Sequence, residues 1–187
     1  ILYGDQTYKT APSGMGTLLE TVTASGSASL EFTSGIDSTY STYQFVINDL
    51  DPVSAAKLYV RFYVGGSLVT SGDYEYAGRD MASGSSQWAL YGTATDFIVL
   101  TYQDLDISTN ENFSANIWLP NPSSTVSYKN IIFDTSYENG SAYIRGAGGG
   151  TLWSSGSDST AVTGIKFYMD TGNITAGTIR MYGLNAS

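Results

Sequence analysis

The chain has 187 residues, with eight Lys or Arg against 17 Asp or Glu, and it contains neither Cys nor His. This inventory excludes disulfides, thiolate nucleophiles, Cys/His zinc sites and imidazole acid–base catalysis. A net charge of −9 without two adjacent basic residues offers no basic footprint for nucleic acid or an anionic membrane surface. No run of 18 apolar residues predicts a membrane-spanning helix. We therefore expect no nucleic-acid partner, no membrane insertion and no cofactor.

The N-terminal segment differs in composition from the rest of the chain. Residues 1–16 contain a turn signal at Gly4-Asp5, one proline and a Ser-Gly-Met-Gly end. Such a sequence favours an extended arm or linker. We therefore predict an N-terminal arm at residues 1–16, followed by one domain at residues 17–187 whose length suits a single β-sandwich.

From residue 17 onward, apolar and polar residues alternate with a period of two, which is typical of strands half-buried in a sheet. In residues 56–64, for example, Leu58, Val60 and Phe62 share one face and Tyr59 and Arg61 the other. We expect about nine to eleven strands in total. In chain order, the candidates lie at 18–22, 30–32, 43–47, 58–64, 74–77, 87–91, 97–102, 113–119, 131–133, 142–145, 151–153, 165–169 and 179–181.

Turn residues separate these strands, and no window has helical periodicity. Asn139-Gly140 is the strongest hairpin signal. Residues 146–150, GAGGG, predict an irregular loop. Other turns are predicted at Ser25-Gly26-Ser27, Asp51-Pro52, Gly65-Gly66, Pro120-Asn121-Pro122 and Thr171-Gly172-Asn173. The predicted fold is all-β: a jelly-roll-like antiparallel β-sandwich with an extended N-terminal arm.

Edge strands of such a sandwich need protection from uncontrolled pairing. Charged residues make up only 13% of the chain, so charge alone cannot protect every edge. Burial against another copy is one solution, which makes a homo-oligomer the expected assembly.

Aromatic residues outside the predicted apolar faces are the main candidates for ligand binding, because a tyrosine or tryptophan can both stack on a sugar ring and donate a hydrogen bond. Arg79, Asp80 and Arg145 lie among them and are suited to polar contacts. The alternative is that these aromatic residues fill sheet edges or a subunit interface. The predicted ligand-binding residues are Tyr74, Tyr76, Arg79, Trp88, Tyr91, Tyr143, Arg145 and Trp153.

Paired carboxylates raise two further hypotheses. A glycosidase needs two carboxyl groups across a cleft, and Ca²⁺ needs six or more oxygen ligands. We predict neither a catalytic residue nor a metal site, because solvated loop acids explain these pairs. Asp104 and Asp106 are the best candidates if a cation binds. The acids considered for catalysis are Asp49/Asp51, Asp73/Glu75, Asp104/Asp106 and Glu111.

Several segments carry a resemblance to a known family. Residues 1–11, ILYGDQTYKTA, resemble the junction that ends the stem of a bacteriophage tail fibre, although Gln6 stands where that junction usually has glycine. Residues 17–62, 116–134 and 164–184 resemble the C-terminal β-sandwich domain of phage tail-fibre and other virion surface proteins. The closing phrase GNITAGTIRMYGL is the most specific part.

The resemblance implies a non-enzymatic virion structural protein, on the particle surface or in the tail fibre. It further implies a homotrimer, attached to other virion proteins through residues 1–16. We expect a receptor-binding distal domain that contacts host cell-surface carbohydrate. The alternatives are a capsid decoration protein that bridges coat subunits and a carbohydrate-binding module of a secreted protein, which would be extracellular. A fourth hypothesis, a glycan depolymerase, would need a carboxylate cleft.

Overall fold

The computed structural model describes residues 16–107, 112–153 and 160–185. Within these ranges the secondary structure consists of strands, and no helix is long and apolar enough to cross a membrane. The thirteen strands of the described ranges are β1 (Thr17–Thr23), β2 (Leu30–Phe32), β3 (Thr42–Pro52), β4 (Leu58–Val64), β5 (Ser67–Leu68), β6 (Tyr74–Ala82), β7 (Gln87–Thr95), β8 (Ile98–Val99), β9 (Phe113–Pro120), β10 (Lys129–Glu138), β11 (Tyr143–Leu152), β12 (Val162–Met169) and β13 (Ile174–Leu184).

The strands form two antiparallel sheets. The large sheet has eight strands in the order β1-β13-β3-β9-β10-β11-β6-β7. The small sheet has five, in the order β2-β12-β4-β5, and β8 pairs with the other half of β4. The predicted antiparallel β-sandwich is therefore confirmed. The arm predicted at residues 1–16 lies, except for Gly16, outside the described residues.

The core lies between the sheets and follows from the alternation of side chains. On β3 and β12, buried residues alternate with half-buried ones along most of each strand. Phe45 of the large sheet packs edge-on against Phe32 of the small sheet, with ring centroids 5.3 Å apart. Phe167 lies 5.6 Å from Phe45 and 6.4 Å from Phe32. These three rings, which we name the phenylalanine core, join the two sheets at their centre.

The prediction of an irregular loop at residues 146–150 is wrong, because these residues belong to β11. A Cβ atom on Gly148 would lie 2.7 Å from Phe133 Cζ and 2.8 Å from the Ala77 carbonyl oxygen. A Cβ on Gly150 would lie 2.7 Å from Ile98 Cδ1. The glycines therefore allow close approach of neighbouring strands and of β8, which is one of the accepted uses of glycine in a strand.

Other expectations are confirmed or corrected by the strand boundaries. The Asn139-Gly140 hairpin joins β10 to β11, with Gly140 at a φ of +76° and Asn139 Oδ1 accepting the Ala142 N–H at 3.0 Å. The candidates at 142–145 and 151–153 are the two ends of β11. The turn predicted at Asp51-Pro52 is wrong, since β3 continues through Pro52. The described ranges contain thirteen strands, more than the nine to eleven expected. Two of them, β5 and β8, have only two residues each.

Candidate ligand-binding groove

An open groove of about 1120 Å³ runs beside β7, the edge strand of the large sheet. Its opposite side is formed by β4, β8 and the segment at residues 100–106. Its lining is mixed, with polar side chains beside six aromatic ones. The six that line the groove are Tyr59, Tyr76, Trp88, Tyr91, Phe97 and Tyr102.

The aromatic rings of the groove are arranged as flat surfaces. The Trp88 ring lies nearly parallel to that of Tyr102, with an angle of 11° and centroids 5.9 Å apart. Tyr59 stacks on Phe97 at 4.0 Å and 12°. Tyr91 is 76% exposed at the rim. Tyr91 and Tyr102, which is 38% exposed, present aromatic surface to solvent of the kind that suits the apolar face of a sugar, whereas the other rings are half-buried against the core.

The position of each ring follows from the alternation along β6 and β7. Trp88 and Leu90 point to the inner side of the large sheet, whereas Tyr91 points to its outer side. Tyr76 is paired across the ladder with Gly92. A Cβ on Gly92 would lie 2.6 Å from atoms of the Tyr76 ring. Glycine at this position therefore leaves the space that the Tyr76 ring occupies.

Buried side chains beneath the groove hold its wall in place. The Tyr102 N–H donates to Asp80 Oδ2 at 2.9 Å, and the Gln103 N–H donates to the Tyr137 hydroxyl at 3.3 Å. That hydroxyl in turn donates to Asp80 Oδ2. Asp80 and Tyr137 are both buried. Two successive amides of the wall are thus fixed to one buried pair, which preorganises Tyr102 for binding.

The burial of this pair perturbs both acid groups. Burial raises the pKa of Asp80, while the hydrogen bonds from Tyr137 and Tyr102 act in the opposite direction. Burial and the neighbouring Asp80 carboxyl raise the pKa of Tyr137. Tyr137 therefore keeps its proton across the physiological range, as its role as a donor to Asp80 requires.

Charges in the groove belong to three of its lining residues. Lys57 Nζ lies 3.1 Å from Asp104 Oδ1. Asp106 Oδ1 accepts the Ile107 N–H at 2.7 Å, and Asp106 packs against the turn at Gly140. The backbone of Leu105 exchanges hydrogen bonds with Ala56, which holds this acidic segment against the start of β4.

This geometry bears on the carboxylate hypotheses. No group of three or more acidic side chains suited to a metal ion occurs in the described ranges. Asp104, one of the two cation candidates, is engaged by Lys57. Among the other acids, Asp49 and Asp51 lie late in β3, Asp73 immediately precedes β6, and Glu75 is its second residue. Glu111 lies outside the described residues.

Three of the predicted ligand-binding residues line the groove: Tyr76 and Trp88 lie inside it, and Tyr91 lies at its rim. Tyr74, which was also predicted to bind a ligand, is fully buried and does not line the groove. Its hydroxyl accepts the Phe62 N–H at 2.9 Å and donates to the Val69 carbonyl at 3.2 Å. Asp80 is likewise buried and holds the groove wall instead of facing a ligand.

The remaining predicted residues lie elsewhere. Arg79, Tyr143 and Arg145 lie on the outer face of the large sheet, the face turned away from the small sheet. Arg79 Nη1 donates to Gln87 Oε1 at 3.0 Å, and the Ser136 hydroxyl donates to the Tyr143 hydroxyl at 3.0 Å. Trp153 follows the last residue of β11. The groove therefore gathers only part of the predicted set.

Half of the aromatic residues in the lining were not predicted from the sequence. Tyr59 lies on the polar face of β4, and alternation alone gives it no partner. Phe97 and Tyr102 flank β8, in a stretch predicted as one continuous strand. The available signal was an aromatic residue among polar ones at residues 101–104, TYQD. From that pattern alone, the stacking of Tyr102 on Trp88 could not be predicted.

Comparison of the chain with protein-family models, with curated proteins and with solved structures finds no match. The geometry of the groove is therefore the main guide to function.

Proposed function

We propose that this protein is a non-enzymatic glycan-binding domain of a phage particle, acting as the distal receptor-binding domain of a tail fibre. The observation that carries the proposal is the aromatic groove, in which the Trp88 and Tyr102 rings lie nearly parallel over a preorganised wall. Pyranose rings have apolar faces that stack on aromatic surfaces and hydroxyl groups that need polar partners. The groove supplies both, because Gln87 and Gln103 lie among its aromatic residues.

The phage assignment comes from the sequence resemblance in residues 1–11 and 164–184. The groove supports the receptor-binding version of that assignment over one in which the domain only bridges coat subunits. Fibre proteins bind several host sites at once, so modest affinity in each groove would still give firm attachment.

The binding test is a titration of wild type against a panel of oligosaccharides by calorimetry or an immobilised array. Trp88→Ala and Tyr102→Ala each remove one ring of the pair. We expect each to weaken binding about tenfold, which corresponds to about 1.4 kcal/mol. Tyr128→Ala is the matched control, since Tyr128 is 54% exposed and does not line the groove. Absence of binding by wild type, or equal losses in all three variants, would overturn the proposal.

Two carboxyl groups line the groove, and we expect them to have no catalytic role. Asp104 and Asp106 come from one short segment, and Asp104 is paired with Lys57. A binding role therefore accounts for both acids. Prolonged incubation with a bound glycan should release no new reducing ends. Product formation that is lost in Asp104→Asn or Asp106→Asn would identify a depolymerase instead.

Association into a homotrimer is part of the proposal, and the outer face of the large sheet is the surface that we assign to it. Arg79, Arg145 and Arg180, three of the eight basic residues, lie on this face. Ile132 is 57% exposed there, between Trp118 and Gly149 in the strand register. A head-to-tail contact between this face and a different surface of the next copy forms a closed ring when the rotation between copies is about 120°.

Mass measurement by sedimentation tests this assembly. A trimer at micromolar concentration that dissociates in Ile132→Glu supports the outer face as the interface. A Val126→Glu variant is the control, because Val126 is 87% exposed but lies outside the strands of that face. A wild-type protein that is strictly monomeric would remove the trimer from the proposal and leave glycan binding in place.

A carbohydrate-binding module of a secreted protein is the second candidate, because the same aromatic groove serves such a module equally well. Electron microscopy of phage particles labelled with an antibody against the domain distinguishes the two. Labelling at the fibre tip supports the phage proposal, whereas absence of the protein from particles supports the module.

A further inference from the structure

We propose that the groove selects uncharged glycans and discriminates against saccharides that carry a carboxylate, sulfate or phosphate group. This inference rests on the proposed function, because it specifies the ligand class of the same groove. It is carried by the arrangement of charges around the aromatic rings.

The groove contains an ion pair. Among the described residues that line the groove, Lys57 is the only basic one, and its Nζ lies 3.1 Å from Asp104 Oδ1. An anionic sugar would have to compete with Asp104 for this ammonium group. Asp106 also lines the groove, so the lining as a whole has one negative charge in excess. An acidic ligand would therefore meet repulsion without an unpaired cation to offset it.

A further carboxylate, that of Asp170, lies near two groove residues, Lys57 and Tyr59. The backbone N–H of Lys57 donates to Asp170 Oδ1 at 2.9 Å, which places another carboxylate beside the Lys57 backbone. Burial and the charge of Asp170 raise the pKa of Tyr59, a groove residue, to about 12. Burial is the larger cause of that shift, and the carboxylates of Asp170 and Asp104 add a negative local field, in a protein whose net charge is −9.

Arg61 and Arg79 are each held by contacts with other groups of the protein. Arg61 Nε donates to the Asp96 carbonyl at 2.8 Å, and its guanidinium lies 5.1 Å from the Tyr168 ring centroid. Arg79 is on the outer face of the large sheet, and its guanidinium is held by the side-chain oxygen of Gln87, a residue that lines the groove. Neither arginine lines the groove. Recognition of carboxylate or phosphate usually uses an arginine fork, and the groove has none.

The experiment uses pairs of oligosaccharides that differ in one charged group. Each neutral oligosaccharide is matched with the same chain carrying a sialic acid, a uronic acid or a sulfate. We expect the neutral member of a pair to bind wild type about tenfold more tightly at low salt. Added salt should narrow this difference, because screening weakens repulsion between exposed charges. Preference for the charged member would overturn the inference and leave glycan binding standing, whereas absence of binding to every pair would overturn both.

Charge variants test whether the groove itself causes the preference. Asp106→Asn should reduce the discrimination about threefold, because it removes the excess negative charge of the lining. Asp134→Asn is the matched control, since Asp134 lies on the outer face of the large sheet and outside the groove lining. Equal effects of the two variants would assign the preference to net charge and overturn the inference.

Discussion

The phenylalanine core and the region beneath the groove show two different ways of joining elements in this sandwich. In the phenylalanine core, Phe32, Phe45 and Phe167 contact one another across the two sheets, and all three are fully buried. Beneath the groove lies a set of residues that we name the polar cluster: Asp80 of β6, Thr135 and Tyr137 of β10, and Gly146 of β11. The first region is apolar throughout, whereas the second buries a carboxyl group, two hydroxyl groups and a glycine.

The polar cluster carries an energetic cost that the phenylalanine core does not. Asp80 Oδ1 and Thr135 Oγ1 are buried without a hydrogen-bond partner in the described ranges. Both approach the position where a Cβ of Gly146 would stand. Unsatisfied buried oxygens of this kind destabilise a fold. The other carboxyl oxygen of Asp80 fixes Tyr102 of the groove wall, so the cluster serves the groove at the expense of stability.

Phe45→Ala should have the largest effect, because it removes a ring from the centre of the core. We expect a loss of about 3–5 kcal/mol in the free energy of unfolding, measured by urea denaturation. Glycan affinity of the remaining folded protein should change little, since Phe45 does not line the groove. A loss below about 1 kcal/mol would contradict the assignment of Phe45 to the structural centre.

Gly148→Ala should be the next most damaging change. Its Cβ would meet Phe133, the Ala77 carbonyl oxygen and the Gly78 Cα, and two of these are backbone atoms of β6 that cannot rotate away. We expect a loss of about 2–3 kcal/mol. Gly84→Ala is the control, because no atom lies within 4 Å of the Cβ position there. Equal unfolding free energies for the two variants would exclude close approach as the reason for the glycine run.

These two variants mark where sequence reasoning succeeds and where it fails. Phe45 belongs to a period-two pattern, and such patterns predicted the strands of the core and the antiparallel sandwich. The glycines of β11 carry no alternation, so a strand of high glycine content was interpreted as a loop. Their role depends on what lies opposite them, Phe133 for Gly148 and Ile98 for Gly150, which are distant in the chain. Local pattern contains no information about such pairs.

The groove was predictable only in part for the same reason. Trp88 and Tyr91 were predicted from their residue type. Tyr102 becomes a groove residue because its backbone is tied to Asp80, 22 positions earlier in the chain. Asp80 itself was predicted to contact a ligand, as a polar residue among aromatic ones, and its burial could not be read from the sequence.

Tyr137→Phe tests the link between the polar cluster and the groove. The variant removes the hydroxyl that donates to Asp80 and accepts the Gln103 N–H. We expect a loss of about 1–2 kcal/mol in unfolding free energy, because a buried carboxyl loses a donor. Glycan affinity should also fall, since the Tyr102–Gln103 wall loses one of its anchors. Phe113→Leu is a control for core perturbation, because Phe113 packs on Tyr137 with centroids 6.1 Å apart. If both variants bind glycan as wild type does, the cluster does not position the wall.

The smallest expected effect is on the pH dependence of the unfolding free energy, to which the carboxyl groups of Asp80 and Glu31 contribute with opposite signs. Burial raises the pKa of Asp80 in the folded state. Burial also opposes ionisation of Glu31 on β2, but hydrogen bonds from Ser29 and Tyr63 and the charge of Lys166, at 3.0 Å, lower its pKa below the ordinary value. A raised folded pKa means that the native state binds the proton more tightly than the unfolded chain, and a lowered one means the reverse.

The sign of each contribution follows. Stability from Asp80 is fully present below its unfolded pKa of about 3.9 and is lost as the pH rises through the folded value. Stability from Glu31 is present above its unfolded pKa of about 4.3 and is lost as the pH falls through the folded value. Between pH 3 and pH 7, the unfolding free energy of wild type minus that of Asp80→Asn should therefore decrease with pH, while wild type minus Glu31→Gln should increase. Urea denaturation at several pH values measures both differences. Slopes of the same sign would show that the Asp80 carboxyl is stabilised as an anion by its two donors, and that the polar cluster costs the fold less than its burial indicates.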